Sequence, residues 1–157
     1  MGTTTRAELS YGYRLQGNDG QWLVKEVHPE DSDEYGLNLD WLDDEDSFDD
    51  MAMKRLLAAL AGFTETDWRA PGYFDRKREA EARLGVAFGR TGWEADDLLL
   101  VTKQYGAYLG DAEEIDPAEM IAAAGAAADE RLGQALEVLG MTPLQERPAW
   151  LLTAYRG

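Results

Sequence analysis

Leu9-Ser10-Tyr11-Gly12-Tyr13-Arg14-Leu15 is the stretch on which the fold turns. Leu9, Tyr11, Tyr13 and Leu15 alternate with Ser10, Gly12 and Arg14. That is the period of two expected of a strand with one buried face. Gly17-Asn18-Asp19-Gly20 follows as a turn signal. Gln21 to Val27 is β-prone, with Trp22, Leu23, Val24 and Val27. Residues 9–27 are therefore predicted as a β-hairpin. A short third strand is expected at 37–42, where Leu37, Leu39 and Trp41 alternate with Asn38 and Asp40.

Helical signals begin after this. Ser47 or Asp49 can cap a helix whose apolar face is Phe48, Met51, Leu56, Leu57, Leu60 and Phe63, with Gly62 as its stop. Pro71-Gly72 turns the chain into a second helix, Tyr73 to Leu84, ended by Gly85. Val86-Ala87-Phe88 and Leu98 to Tyr105 are expected to form a second hairpin. Asp116-Pro117 starts a third helix running to Leu139, with a break expected near 125–128 because Gly125 and Gly133 weaken it. Pro148 precedes a final strand at Ala149–Tyr155. The reading is a single α+β domain over residues 1–157. It has an antiparallel sheet of about four to six strands and about three helices on one face.

The chain of 157 residues suits one domain and can bury a real core. It has no cysteine, which removes disulfides, thiolate metal sites and cysteine nucleophiles. Met1 to Arg6 lacks the apolar run of a signal peptide, and the apolar stretch at 120–128 is too short to span a bilayer. A cytoplasmic protein is expected.

The formal net charge is −16, and its placement is uneven. Eleven carboxylates fall between Glu30 and Asp50 with no Lys or Arg among them: Glu30, Asp31, Asp33, Glu34, Asp40, Asp43, Asp44, Glu45, Asp46, Asp49 and Asp50. Direct binding to nucleic-acid phosphates or anionic membranes is disfavoured, because both need cationic charge. A basic protein surface is the natural partner for such a segment. Tyr35, Leu37, Leu39, Trp41, Leu42 and Phe48 interleave with the acids and could anchor an interface. The plainer alternative is a solvated acidic loop whose apolar residues turn into the core.

Three stretches carry a resemblance: Leu9 to Leu15, Gly72-Tyr73-Phe74-Asp75-Arg76-Lys77-Arg78-Glu79-Ala80, and Pro148-Ala149-Trp150-Leu151-Leu152. In order and spacing they resemble small acidic accessory proteins of actinobacteriophages. That group supplies no established activity and no functional residue to carry over. The resemblance implies an accessory protein that works inside a bacterial cell and modifies or blocks a host factor.

Catalytic signals are weak. Asp31-Ser32-Asp33-Glu34-Tyr35-Gly36 opens like a calcium loop, but Tyr35 stands at position 5 and Leu42 at position 12, so no metal site is assigned. His28 is the one histidine and precedes Pro29 in an expected loop. No nucleophile-elbow, zinc-helix or phosphate-loop pattern is present. No catalytic residue and no cofactor are expected, and the function is read as binding.

The leading site is the acidic face Asp40, Asp43, Asp44, Glu45, Asp46, Asp49 and Asp50, with Trp41 as anchor and a host protein with a basic surface as partner. Such a face would mimic nucleic-acid charge. Trp93, before Glu94, Asp96 and Asp97, is a second candidate anchor. The alternative is a small anionic ligand, such as a nucleotide, held by Arg69, Tyr73, Arg76, Lys77 and Arg78 beside Trp68 and Phe74. Against it stands a solvated helix face with internal ion pairs.

Overall fold

The structure is a computed structural model that describes residues 5–17, 19–27, 36–43, 46–90 and 97–156. Strand β1 (Thr5–Gln16) begins four residues before Leu9 and buries Tyr11 and Leu15, as the alternation requires. Its partners are distant in sequence. It lies between β3 (Leu98–Tyr108) and β4 (Ala149–Arg156), while β2 (Ala87–Arg90) pairs with the outer side of β3. The order is β2-β3-β1-β4 and every pairing is antiparallel. The hairpin expected at 86–105 is the β2–β3 pair, with β2 one residue later than predicted.

The hairpin expected at 9–27 closes only at its turn. The Gly17 N–H donates to Gln21 O at 2.8 Å and the Leu23 N–H to Leu15 O at 2.7 Å. Beyond the Leu23 N–H the chain leaves β1 and bonds instead to the segment after the last helix. The Lys25 N–H reaches Thr142 O, and the Leu144 N–H reaches Leu23 O. The reason is that β3 and β4 occupy the two hydrogen-bonding edges of β1 from Arg6 to Gly12. The strand expected at 37–42 is likewise corrected. It reduces to one bridge, Leu37 with Val27, and a turn in which the Leu42 N–H donates to Leu39 O.

Glycine 12 is where β1 must come close to β3. A Cβ there would stand 1.9 Å from Leu100 O. The register slips at this point, with Tyr11 opposite Lys103 and Gly12 opposite Val101. Thr102 is thus the extra residue of a bulge.

The helices end where capping chemistry says they should. Helix α1 (Phe48–Ala61) starts at Ser47, whose side chain accepts the Asp50 N–H, and stops at left-handed Gly62. Helix α2 (Tyr73–Leu84) lies between Gly72 and Gly85. The long third helix breaks at Gly125, as expected, into α3 (Pro117–Ala123) and α4 (Ala126–Leu139). That break raises the helix count from about three to four among the described residues.

The core lies between one sheet face and α1, α2 and α4. Tyr11, Leu15, Leu98 and Leu100 meet Phe48, Ala52, Leu56, Leu57, Ala80, Leu84, Leu132, Ala135 and Leu139. Helix α1 packs against both α2 and α4, and α4 packs on β3. The Tyr11 hydroxyl donates to Asp129 on α4 at 2.5 Å. Burial, then this bond, pushes the Tyr11 phenol up to about 12. No helix among the described residues is long and apolar enough to cross a membrane.

Candidate interaction surface

Helix α4 fixes this surface through its C-terminal carbonyls, which no further helical turn can satisfy. The Trp41 indole N–H donates to Leu139 O at 2.8 Å, and Arg55 Nε on α1 donates to Val138 O at 2.8 Å. A cation at this end also complements the helix dipole. The Arg55 guanidinium lies 5.8 Å from the Trp41 ring centre, and the ring leans on Phe48 at 5.7 Å. Trp41 is therefore half-buried and held in one pose, with the buried Phe48 beneath it.

A groove of about 900 Å³ runs beside Trp41 between α1 and the end of α4. Asp43, Asp46, Asp50 and Glu137 line it together with Lys54 and Arg55. A smaller recess of about 280 Å³ adjoins it, lined by Asp40, Trp41, Arg55 and Glu137. The exposed carboxylates Asp40, Asp43, Asp46 and Asp50 thus gather around one fixed indole.

Not every predicted acid serves this face. Asp49 is half-buried and makes a paired ion contact with Arg90 at 2.6 and 2.7 Å. Asp50 receives the Ser47 hydroxyl at 2.8 Å, so it also belongs to the helix cap. Asp44, Glu45, His28, Tyr35, Trp93 and the acids at 30–34 lie outside the described residues. The apolar residues of the segment divide as the plainer reading had it: Leu37 and Phe48 enter the core, and Leu39, Trp41 and Leu42 pack against it. Sequence reasoning missed Arg55 and Glu137. They lie 14 and 96 positions from Trp41, and no local pattern links them.

The basic residues do not converge. Arg76 grips Glu65 through two bonds of 2.6 and 2.8 Å and also donates to Pro71 O. Those bonds hold the Glu65 carboxyl below the usual carboxylate range. Arg78 pairs with Asp75 within α2, and Arg69 stacks on Trp68 at 4.9 Å. Of the five, Tyr73 and Lys77 line a cavity of about 440 Å³ between α1 and α2 that also takes in Asp50, Met53, Lys54, Leu57, Phe63 and Glu65.

A second polar group was not foreseen. Glu8 and Ser10 are buried on the sheet face away from the core cluster. Gln104 Nε2 donates to Glu8 at 2.8 Å and to Ser10 at 3.2 Å, and Arg6 Nε stands 2.9 Å from Glu8. Glu8, Ser10, Arg6 and Gln104 compensate one another, as burial of a carboxylate requires. Among the described residues no group of three or more His, Asp or Glu is placed to hold a metal ion. Compared with known proteins, the chain matches no family model, no curated protein and no solved structure.

Proposed function

We propose that the protein is an accessory factor of the actinobacteriophage type that binds a basic surface on a host protein and blocks it, presenting carboxylates where that surface expects nucleic-acid phosphates. The observation that carries this reading is the gathering of Asp40, Asp43, Asp46 and Asp50 around a Trp41 whose pose is set by a hydrogen bond. A pre-positioned aromatic lowers the ordering cost of association. The surrounding carboxylates speed encounter with a cationic partner and make it salt-sensitive.

The test begins with capture of partners from an actinobacterial lysate at low and high salt. The captured protein is then titrated against a variant carrying Asp40→Asn, Asp43→Asn, Asp46→Asn and Asp50→Asn. Its association rate is expected to fall by about tenfold or more, with a flatter salt dependence. Unchanged kinetics would remove the acidic face from the reading.

The cleft between α1 and α2 favours a second reading. Lys54, Tyr73 and Lys77 line it with apolar Met53 and Leu57, offering two ammonium groups and a phenol to a small anionic ligand against the carboxylates Asp50 and Glu65 that line it as well. A melting-temperature screen with nucleotides tests it, because a ligand of the native state raises stability.

A further inference from the structure

From the β4 edge of the sheet we infer that two copies of this chain associate by antiparallel pairing of β4 with β4, making one continuous eight-stranded sheet. Strand β4 is terminal in the order β2-β3-β1-β4. An edge strand offers unpaired N–H and C=O groups, and proteins ordinarily blunt such edges with charge, proline, bulges or shortness. Apart from Arg156 at its last position, strand β4 has none of these devices. It is eight residues long, and Ala149 to Tyr155 contains no Asp, Glu, Lys, Arg or Pro. Its register against β1 runs without a shift from Ala149 to Arg156. The opposite edge is blunted: β2 has four residues and ends at Arg90, which is tied to Asp49.

Leu152 adds an apolar contact to the backbone edge. It is 77% exposed although it stands opposite Leu9 in the sheet. Directly opposed residues of an antiparallel pair point to the same side. Two copies related by a twofold axis must therefore register on a residue and not between residues. The midpoint of the eight residues falls between Leu152 and Thr153, and of the two on-residue registers the one on Leu152 covers the exposed leucine with its own copy.

Charge selects a second copy as the occupant. In a chain of net charge −16 any self-contact must keep the acids apart. The Asp49–Arg90 ion pair and the Phe48–Phe88 contact put the start of α1, and with it the acidic groove, over β2. That is the edge farthest from β4. Two carboxylates close to β4 are already engaged: Asp129 accepts the Tyr11 hydroxyl, and Glu8, opposite Thr153, is held by Arg6 and Gln104. In an eight-stranded sheet the two β2 edges stand roughly 34 Å apart at ~4.8 Å per strand. Screening at 0.1 M salt acts over about 10 Å, so the two acidic ends barely interact.

Sedimentation of the full chain across a concentration series tests this. A mass rising toward a dimer is expected, and Leu152→Lys is expected to raise the dissociation constant by about tenfold or more while the circular dichroism spectrum stays unchanged. Ala87→Lys, on the blunted edge, should leave the dimer intact. Because the chain has no cysteine, Leu152→Cys gives an unambiguous second readout. Diamide is expected to link it to its own copy faster than it links Ala87→Cys. A wild-type monomer at every concentration overturns the inference, whatever foreign strand the edge accepts. So does a dimer that Leu152→Lys leaves intact and Ala87→Lys breaks.

Discussion

The two charged regions of this molecule, residues 40–50 and 69–78, meet opposite fates. The basic region spends its charge locally. Arg76 closes on Glu65, Arg78 on Asp75, and Arg69 lies on Trp68. The acidic region uses Asp49 for an ion pair and Asp50 for a cap, and it still leaves exposed carboxylates around Trp41. A run of like charge has no opposite partner within itself, so it must either find one elsewhere or face solvent. A run of mixed sign can pair within itself, as Arg78 does with Asp75, or with a near neighbour, as Arg76 does with Glu65. The count of charges is thus a poorer guide to a binding surface than their arrangement.

The largest expected effect comes from removing the floor under the acidic region. Phe48 is buried and touches Trp22, Trp41 and Phe88. Phe48→Ala is expected to cost about 3–5 kcal/mol in urea unfolding. It should also loosen Trp41, read as a red shift of tryptophan emission, and leave the Arg76–Glu65 pair in place.

Next in size is a titration belonging to neither region. The Tyr11 phenol is raised from its ordinary 10 to about 12. The folded protein keeps this proton at pH values where the unfolded chain has lost it. Its contribution is therefore complete below pH 10 and is lost between about pH 10 and 12, roughly 2–3 kcal/mol in all. Unfolding midpoints at pH 9 and pH 11.5 should differ strongly in the wild type and much less in Tyr11→Phe. An equal drop in both would place the alkaline transition elsewhere.

Ser47→Ala sharpens the contrast at smaller scale. It removes the side chain that caps α1 and bonds Asp50. A loss of about 1 kcal/mol is expected, with the acidic region more exposed to proteolysis. Smallest of all, Arg90→Ala opens the ion pair to a third-exposed Asp49. It should cost under about 1 kcal/mol, and less still at high salt.

These outcomes bear on what the sequence could tell. Local chemistry was legible. Ser47, Gly62, Gly72, Gly85, Asp116 and Gly140 bound the helices, and Gly125 marks the break, because a cap acts within one turn. The β2–β3 hairpin was legible for the same reason. The partner of β1 was not. Alternation says that a strand has a buried face, but it does not say which chain lies beside it. Residues 21–27 alternate less regularly, and their bridges go to Gln16, Pro143 and Leu37. The groove was half legible: Trp41 and its acids are one segment, whereas Arg55 and Glu137 arrive by tertiary packing.

The strand order carries a consequence for the timing of folding. Thr5–Gln16 is made before either of its partners, because its ladders need Leu98–Tyr108 on one side and Ala149–Arg156 on the other. Until those partners are made, an alternating apolar strand waits with both edges open. Contacts this distant slow folding, because the loop must close before the pairing is gained. Helices α1 and α2, whose caps are local, can form while the ribosome is still working. The sheet they cover cannot be finished until the last eight-residue strand is free to dock.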